Sequence, residues 1–139
     1  MNKSAGQYVF RADASLQTGS GHVMRCLTLA AALSTAGGTC RFICREHAGN
    51  LIAYIRGKGY RVDVLPPGTA ETAAQQTLAH SHWLGASQQE DAAQCLAVLD
   101  KEVADWLVVD HYALDQHWES ALRQCCRHLM VIDDLADLD

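Results

Sequence analysis

The chain of 139 residues is long enough for one compact domain and too short for two. With 49% hydrophobic and 19% charged residues it reads as globular, and a net charge of −5 without any Lys/Arg run argues against a nucleic-acid partner. Met1 to Gln7 lack the apolar core of a signal peptide, and the longest apolar stretch, Leu27 to Leu33, is too short to span a bilayer, so a cytoplasmic protein with no membrane partner is expected.

Tyr8 to Asp13 is the first strand candidate. After Gly19-Ser20-Gly21, apolar residues at helical spacing (Val23, Cys26, Leu27, Ala30, Leu33) predict a helix to Ala36, ended by Gly37-Gly38. Thr39 to Cys44 reads as strand two. Asn50 is placed to cap a helix from Leu51 to Lys58, which Gly59 stops. Tyr60 to Leu65 alternates as a strand, broken by Pro66-Pro67-Gly68. Glu71 to Ala79 is a helical candidate, and Ser81 to Gly85 reads as loop or extended chain. Asp91 to Leu99 is amphipathic, and Trp106 to Asp110 is an apolar strand. Asp115 caps a helix predicted from Gln116 to Arg127, and Leu129 to Asp133 is the last strand. The six cysteines form no Cys-x-x-Cys pair and read as small buried apolar residues in a reducing compartment.

Strands alternating with helices predict an α/β fold, a parallel sheet with helices on both faces. Right-handed crossovers favour the strand order 3-2-1-4-5, which makes strands one and four neighbours at the topological switch point. Ligands bind beyond the carboxyl ends of strands there. The loops leaving those two strands carry Gly19-Ser20-Gly21-His22 and Asp110-His111-Tyr112, so two histidines distant in sequence are expected to flank one crevice.

Glycines at 19 and 21 permit a tight turn and close approach of a ligand to the backbone, and the N–H groups opening the next helix favour negative charge. Met24 stands where the third glycine of a dinucleotide fingerprint belongs, so that motif is incomplete, although Glu46 lies where its ribose-binding acid would be. His22 falls in the first turn of the helix, where the dipole disfavours a charged ring. A neutral imidazole there suits a general base; the plain alternative is a packing histidine.

Arg11-Ala12-Asp13-Ala14-Ser15 followed by Gly19-Ser20-Gly21-His22-Val23-Met24-Arg25-Cys26-Leu27 resembles the opening signature of the hydrolases that act on UDP-2,4-diacetamido-2,4,6-trideoxy-β-L-altropyranose in pseudaminic-acid biosynthesis. Trp83 to Gln88 with Asp91-Ala92, Asp105 to Tyr112, and Ile132 to Asp137 are similar to later blocks of that bacterial family, so the resemblance covers almost the whole chain. It implies a Rossmann-like domain, residues 1–139, forming the N-terminal half of a GT-B-like architecture. It implies metal-independent cleavage of the sugar C1–O bond with inversion, no cofactor, and His22 as the base that deprotonates the attacking water. The family's C-terminal nucleotide-binding domain is expected as a partner in the same protein and is absent from this chain; Leu138 stands where the family has a basic residue.

Asp13 is a candidate to orient His22 or to bind a sugar hydroxyl. Together with Gly19, Ser20, Gly21, Arg25, Asp110, His111 and Tyr112 it makes up the expected substrate-binding set. For Arg25 the alternative is an exposed helix arginine, and for Asp13 a strand-end cap. Trp83, Ser87 and Gln88 sit in a segment read as irregular, where ligands are often held, although a tryptophan is more often a core anchor. His80-x-His82 lacks companion ligands and is not read as a metal site. His47, His117 and His128 follow no pattern and are assigned to solvent or packing. A glycosyltransferase acceptor domain and a non-catalytic sugar-binding domain remain the other two readings.

Overall fold

The computed structural model describes residues 6–16, 19–67, 87–100, 102–111 and 114–132. Five parallel strands form its sheet: β1 (Gln7–Ala12), β2 (Thr39–Arg45), β3 (Arg61–Leu65), β4 (Ala104–Asp110) and β5 (Cys126–Val131). Their order is β3-β2-β1-β4-β5, the one expected from right-handed crossovers. The described helices are α1 (Gly21–Thr35), α2 (Ile52–Gly57), α3 (Gln88–Leu99) and α4 (Gln116–Leu122).

Side chains alternate across a strand, and this parity divides the core in two. On one face Phe10 and Ala12 of β1, Phe42 and Cys44 of β2 and Val108 of β4 pack against Val23, Cys26, Leu27 and Ala30 of α1 and Ile52 and Ile55 of α2. Val9, Ile43, Leu107 and Val109 point the other way, onto Ala92, Cys95 and Leu99 of α3 and Trp118 and Leu122 of α4. Burying each such aliphatic side chain contributes about 1.5–3 kcal/mol. The sheet is therefore covered on both faces, as a parallel sheet must be.

α1 ends in a Schellman arrangement. Gly38 N–H bonds the Leu33 carbonyl at 2.8 Å and Gly37 N–H that of Ser34 at 3.0 Å, with Gly37 at φ +100. The start of α2 differs by one residue from the sequence expectation. Asn50 holds the Ile52 N–H with its side-chain oxygen at 3.0 Å, but the helix opens at Ile52 behind Leu51.

Two larger corrections lie further on. Ser87 and Gln88 do not belong to an irregular segment: Ser87 Oγ accepts the Glu90 N–H at 3.0 Å and caps α3, which starts at Gln88, three residues before the expected Asp91. Ser87-x-x-Glu90 is a capping-box pattern whose first half is realised here. The helix expected to reach Arg127 instead ends at Leu122, tightens into a 3-10 turn at Arg123–Cys125, and turns extended at Cys126. Burial decides this: Leu122 and Cys125 anchor the turn, and β5 then pairs with β4 from Ala104↔Cys126 onward. Asp115 does cap α4, accepting the His117 N–H at 2.9 Å. The expectations for Glu71–Ala79, His80, Ser81–Gly85, Trp83, Tyr112 and Asp133 lie outside the described residues. Among the described residues no helix is long and apolar enough to cross a membrane.

Candidate active site

Ala12 and Asp110 are register partners at the carboxyl ends of β1 and β4. The residues that follow them, and the first turn of α1, form one cluster at the switch point. Parity places Asp110 on the α1 face and Asp13 and His111 on the α3 face.

On the α1 face His22 donates from Nδ1 to Asp110 Oδ1 at 2.5 Å. Arg25, one turn along α1, donates to both oxygens of the same carboxylate at 2.8 Å. Burial opposes ionisation of Asp110, but these bonds from His22 and Arg25 outweigh it and hold the carboxyl below its usual range. An ionised Asp110 fixes the tautomer in which Nδ1 carries the hydrogen, making Nε2 the basic nitrogen of His22. His22 is buried at 7% exposure, so its ring is held and not loose on the surface.

On the α3 face Asp13 gathers four donors. Arg11 Nη1 and the Arg45 N–H reach Oδ1 at 2.7 Å each. His111 Nε2 reaches Oδ2 at 3.0 Å, and His47 Nε2 reaches the same oxygen at 3.1 Å. Asp13 thus orients His111 and His47, which corrects the expectation that it serves His22; the alternation that runs on from β1 sets its side chain on the same face as Arg11, opposite His22. His47, assigned from sequence to solvent or packing, is corrected as well. Burial would raise the Asp13 carboxyl, yet the Arg11 charge and the two histidine bonds keep it well below the ordinary value. His111 is pushed down by burial, against the upward pull of Asp13, and so favours its neutral form.

Behind Asp13 lies a charged layer that the sequence reading missed. Asp91, fully buried on α3, accepts from Arg11 at 3.1 and 2.5 Å, Arg45 at 2.7 Å and Trp118 Nε1 at 2.8 Å. Burial would raise its carboxyl, but the two guanidiniums lower it to about 2. Two signals were present in the sequence. Arg11 and Arg45 sit in strands covered on both faces, where a charge needs a partner. Asp91 heads the stripe Asp91, Cys95, Leu99 at i, i+4, i+8.

The Gly19-Ser20-Gly21 turn lies exposed beside His22, with Gly19 at φ +78, a conformation that favours glycine. Ser20 stands at the start of α1 without capping it through its side chain. The structure therefore brings together Asp13, Gly19, Ser20, Gly21, His22, Arg25, Asp110 and His111. Tyr112 lies outside the described residues. Asp13 and Asp110 spend their oxygens on protein donors, which makes them orienting groups more than surfaces for a ligand.

No group of three or more His, Cys, Asp or Glu is placed to hold a metal ion among the described residues. Two larger grooves lie elsewhere, about 430 Å³ at the amino ends of the strands and about 520 Å³ between α3 and α4. Neither includes the carboxylate–imidazole pairs. Fold and cluster together define a Rossmann-like α/β domain with a buried acid–imidazole pair at its switch point. Compared with known proteins, the chain matches no family model and no curated protein.

Proposed function

We propose that this domain carries the catalytic base of a nucleotide-sugar hydrolase, an enzyme releasing UDP from UDP-2,4-diacetamido-2,4,6-trideoxy-β-L-altrose in pseudaminic-acid biosynthesis. The observation that carries the reading is the buried His22–Asp110 pair, 2.5 Å from Nδ1 to carboxylate, at the end of the sheet where α/β domains bind ligands. The resemblance of the opening block to that hydrolase family supplies the substrate.

In this reading His22 Nε2 takes a proton from water as the oxygen attacks C1 from the face opposite UDP. The new C–O bond forms as the bond from C1 to the UDP oxygen breaks, and UDP leaves with that electron pair. The products are the free sugar and UDP, with the water's proton on His22 until solvent removes it. Asp110, held ionised by Arg25, steadies the imidazolium and fixes the ring. UDP is a good leaving group, so the reading needs a base but no protein acid. The exposed glycine turn and the start of α1 give the sugar side close access to backbone N–H groups. A second, nucleotide-binding domain completes the GT-B-like pair in this proposal.

The test supplies both domains together with the UDP-sugar and follows UDP release. Release without any acceptor is expected, and His22→Ala should slow it about 100- to 10,000-fold. Dependence on an added acceptor sugar would replace hydrolysis by glycosyl transfer. Saturable binding without UDP release would leave a sugar-binding domain. An unchanged rate in His22→Ala would remove the base assignment.

A further inference from the structure

The chain that leaves β2 brings a further imidazole to the switch point. His47 donates from Nε2 to Asp13 Oδ2 at 3.1 Å, the same oxygen that His111 reaches at 3.0 Å. Its backbone is tied down as well. The His47 N–H bonds the Arg45 carbonyl at 2.8 Å, and the Asn50 side-chain amide donates to the His47 carbonyl at 2.8 Å. The next carbonyl, that of Ala48, accepts the Leu16 N–H at 2.9 Å from the loop after β1. Ring and backbone are therefore both fixed, just beyond the carboxyl end of a strand.

Asp13 is satisfied without this ring. Its Oδ1 takes Arg11 and the Arg45 N–H, and its Oδ2 takes His111. What the extra bond does is orient His47. An ionised carboxylate only accepts, so the hydrogen between the two groups lies on Nε2. In the neutral ring of that tautomer Nδ1 is a lone-pair acceptor, and because the two ring nitrogens diverge it faces away from Asp13. Nδ1 has no hydrogen-bond partner among the described residues, while 13% of the side chain stays open. An acceptor at the edge of an open crevice is filled by water or by a donor of the ligand that displaces it.

We propose that His47 is a sugar-positioning residue, whose Nδ1 accepts a hydrogen bond from a donor on the sugar ring, an acetamido N–H or the hydroxyl. This rests on the hydrolase reading and deepens it by naming a group that selects the sugar. The sugar in that reading carries acetamido N–H groups at C2 and C4 and a hydroxyl at C3, each of which needs an acceptor once water is displaced. Asp13 and Asp110 have their oxygens engaged by protein donors, so the fixed Nδ1 of His47 is the acceptor left to present.

The experiment compares wild type with His47→Gln, each supplied with the nucleotide-binding domain. The glutamine amide replaces Nε2 as donor to Asp13 and leaves no acceptor at Nδ1. The substrates are the UDP-sugar and three analogues that each lack one donor: acetoxy for acetamido at C2, the same at C4, and 3-deoxy. With wild type, one analogue should lose about tenfold in kcat/KM, and which one identifies the donor. In His47→Gln the natural substrate should lose about tenfold through KM, with kcat within about twofold, and that analogue should lose nothing further. A purely structural role would instead lower all four substrates alike, and that result overturns the proposal. NMR of 15N-labelled histidine in the slow His22→Ala form decides even where His47→Gln fails to fold. At pH 8 the His47 Nδ1 should carry no hydrogen and should shift when UDP-sugar is added; a hydrogen on Nδ1, or an unmoved signal at saturation, overturns the proposal. UDP release with no analogue impaired in wild type would defeat the role of His47 alone. If no form releases UDP, the hydrolase reading alone fails, and dissociation constants for the same four compounds decide the role of His47.

Discussion

Asp110 and His22 meet at 2.5 Å although they stand 88 positions apart in the chain. The contact follows from topology: β1 and β4 are neighbours only because the chain reverses its winding between β3 and β4, and α1 rises from the end of β1 beside the tip of β4.

Replacing this carboxylate by its amide tests the pair directly. In Asp110→Asn the amide N–H₂ faces Nδ1 and favours the opposite tautomer, with the hydrogen on Nε2, so the basic nitrogen turns away from water. The expected loss is about 1,000-fold or more in kcat for UDP release, the scale seen when such a pair loses its carboxylate. Arg25 is 35% exposed at its side chain and recovers water, so stability should fall by only about 1–2 kcal/mol in urea unfolding. A variant retaining near-wild-type kcat would show that Asp110 does not set the ring.

Asp91 should behave in the opposite way, with a large effect on stability. Its carboxylate alone compensates part of two buried guanidiniums, those of Arg11 and Arg45. Asp91→Asn keeps the shape and an acceptor for Trp118 but removes the charge, leaving cations that water cannot reach. A loss of about 3–5 kcal/mol is expected, a large share of the roughly 5–15 kcal/mol that holds a domain folded. Urea midpoints measure it, with His22→Asn as the comparison, expected to lose about 1 kcal/mol or less. Equal stability of Asp91→Asn and wild type would mean that the charged layer does not hold α3 against the sheet.

Much of the fold was legible because apolar periodicity and glycine stops are local signals. The strand order followed from handedness rules applied to them. The same reasoning brought His22 and His111 to one crevice, since each lies in the chain that leaves one of the two central strands. Which carboxylate serves which imidazole was not legible. That choice depends on the face each side chain takes, which follows only when strand alternation is carried one residue past Ala12 and through Asp110 to His111. Asp91, Arg45 and His47 were missed for a related reason: their partners come from three different elements, so no short motif contains them. At β5 the local signal misled, because Arg123 to Arg127 suits a helix by propensity while pairing with β4 draws Cys126 into the sheet.

Ser87 offers a smaller test of the corrected boundary of α3. Its hydroxyl holds the Glu90 N–H at 3.0 Å, so Ser87→Ala should cost about 1 kcal/mol without altering the sheet. Ser87→Asp restores an acceptor and adds a favourable charge at the helix start, and should recover most of the loss. Urea unfolding of the two variants checks the order. If alanine and aspartate behaved alike, the cap would contribute nothing and the start of α3 would be held by packing alone.

Stability against pH should fall in two stages. Asp13 is held well below its ordinary value and Asp91 is lowered to about 2, while unfolded carboxyls titrate near ~4. Groups depressed by folding contribute fully above the unfolded value and lose that contribution as pH falls through the folded one, here from ~4 down to about 2. His111 is depressed as well, through burial of its neutral ring. Its contribution is complete above the unfolded histidine value near ~6.5 and begins to drain as the pH falls below it, because the unfolded state then binds more protons. Urea midpoints between pH 3 and 8 should therefore decline gently below ~6.5 and steeply below ~4. His111→Gln should flatten the gentle stage and leave the steep one unchanged. A wild-type midpoint constant from pH 8 to ~4.5 would mean that the ring beside Asp13 is not buried in its neutral form.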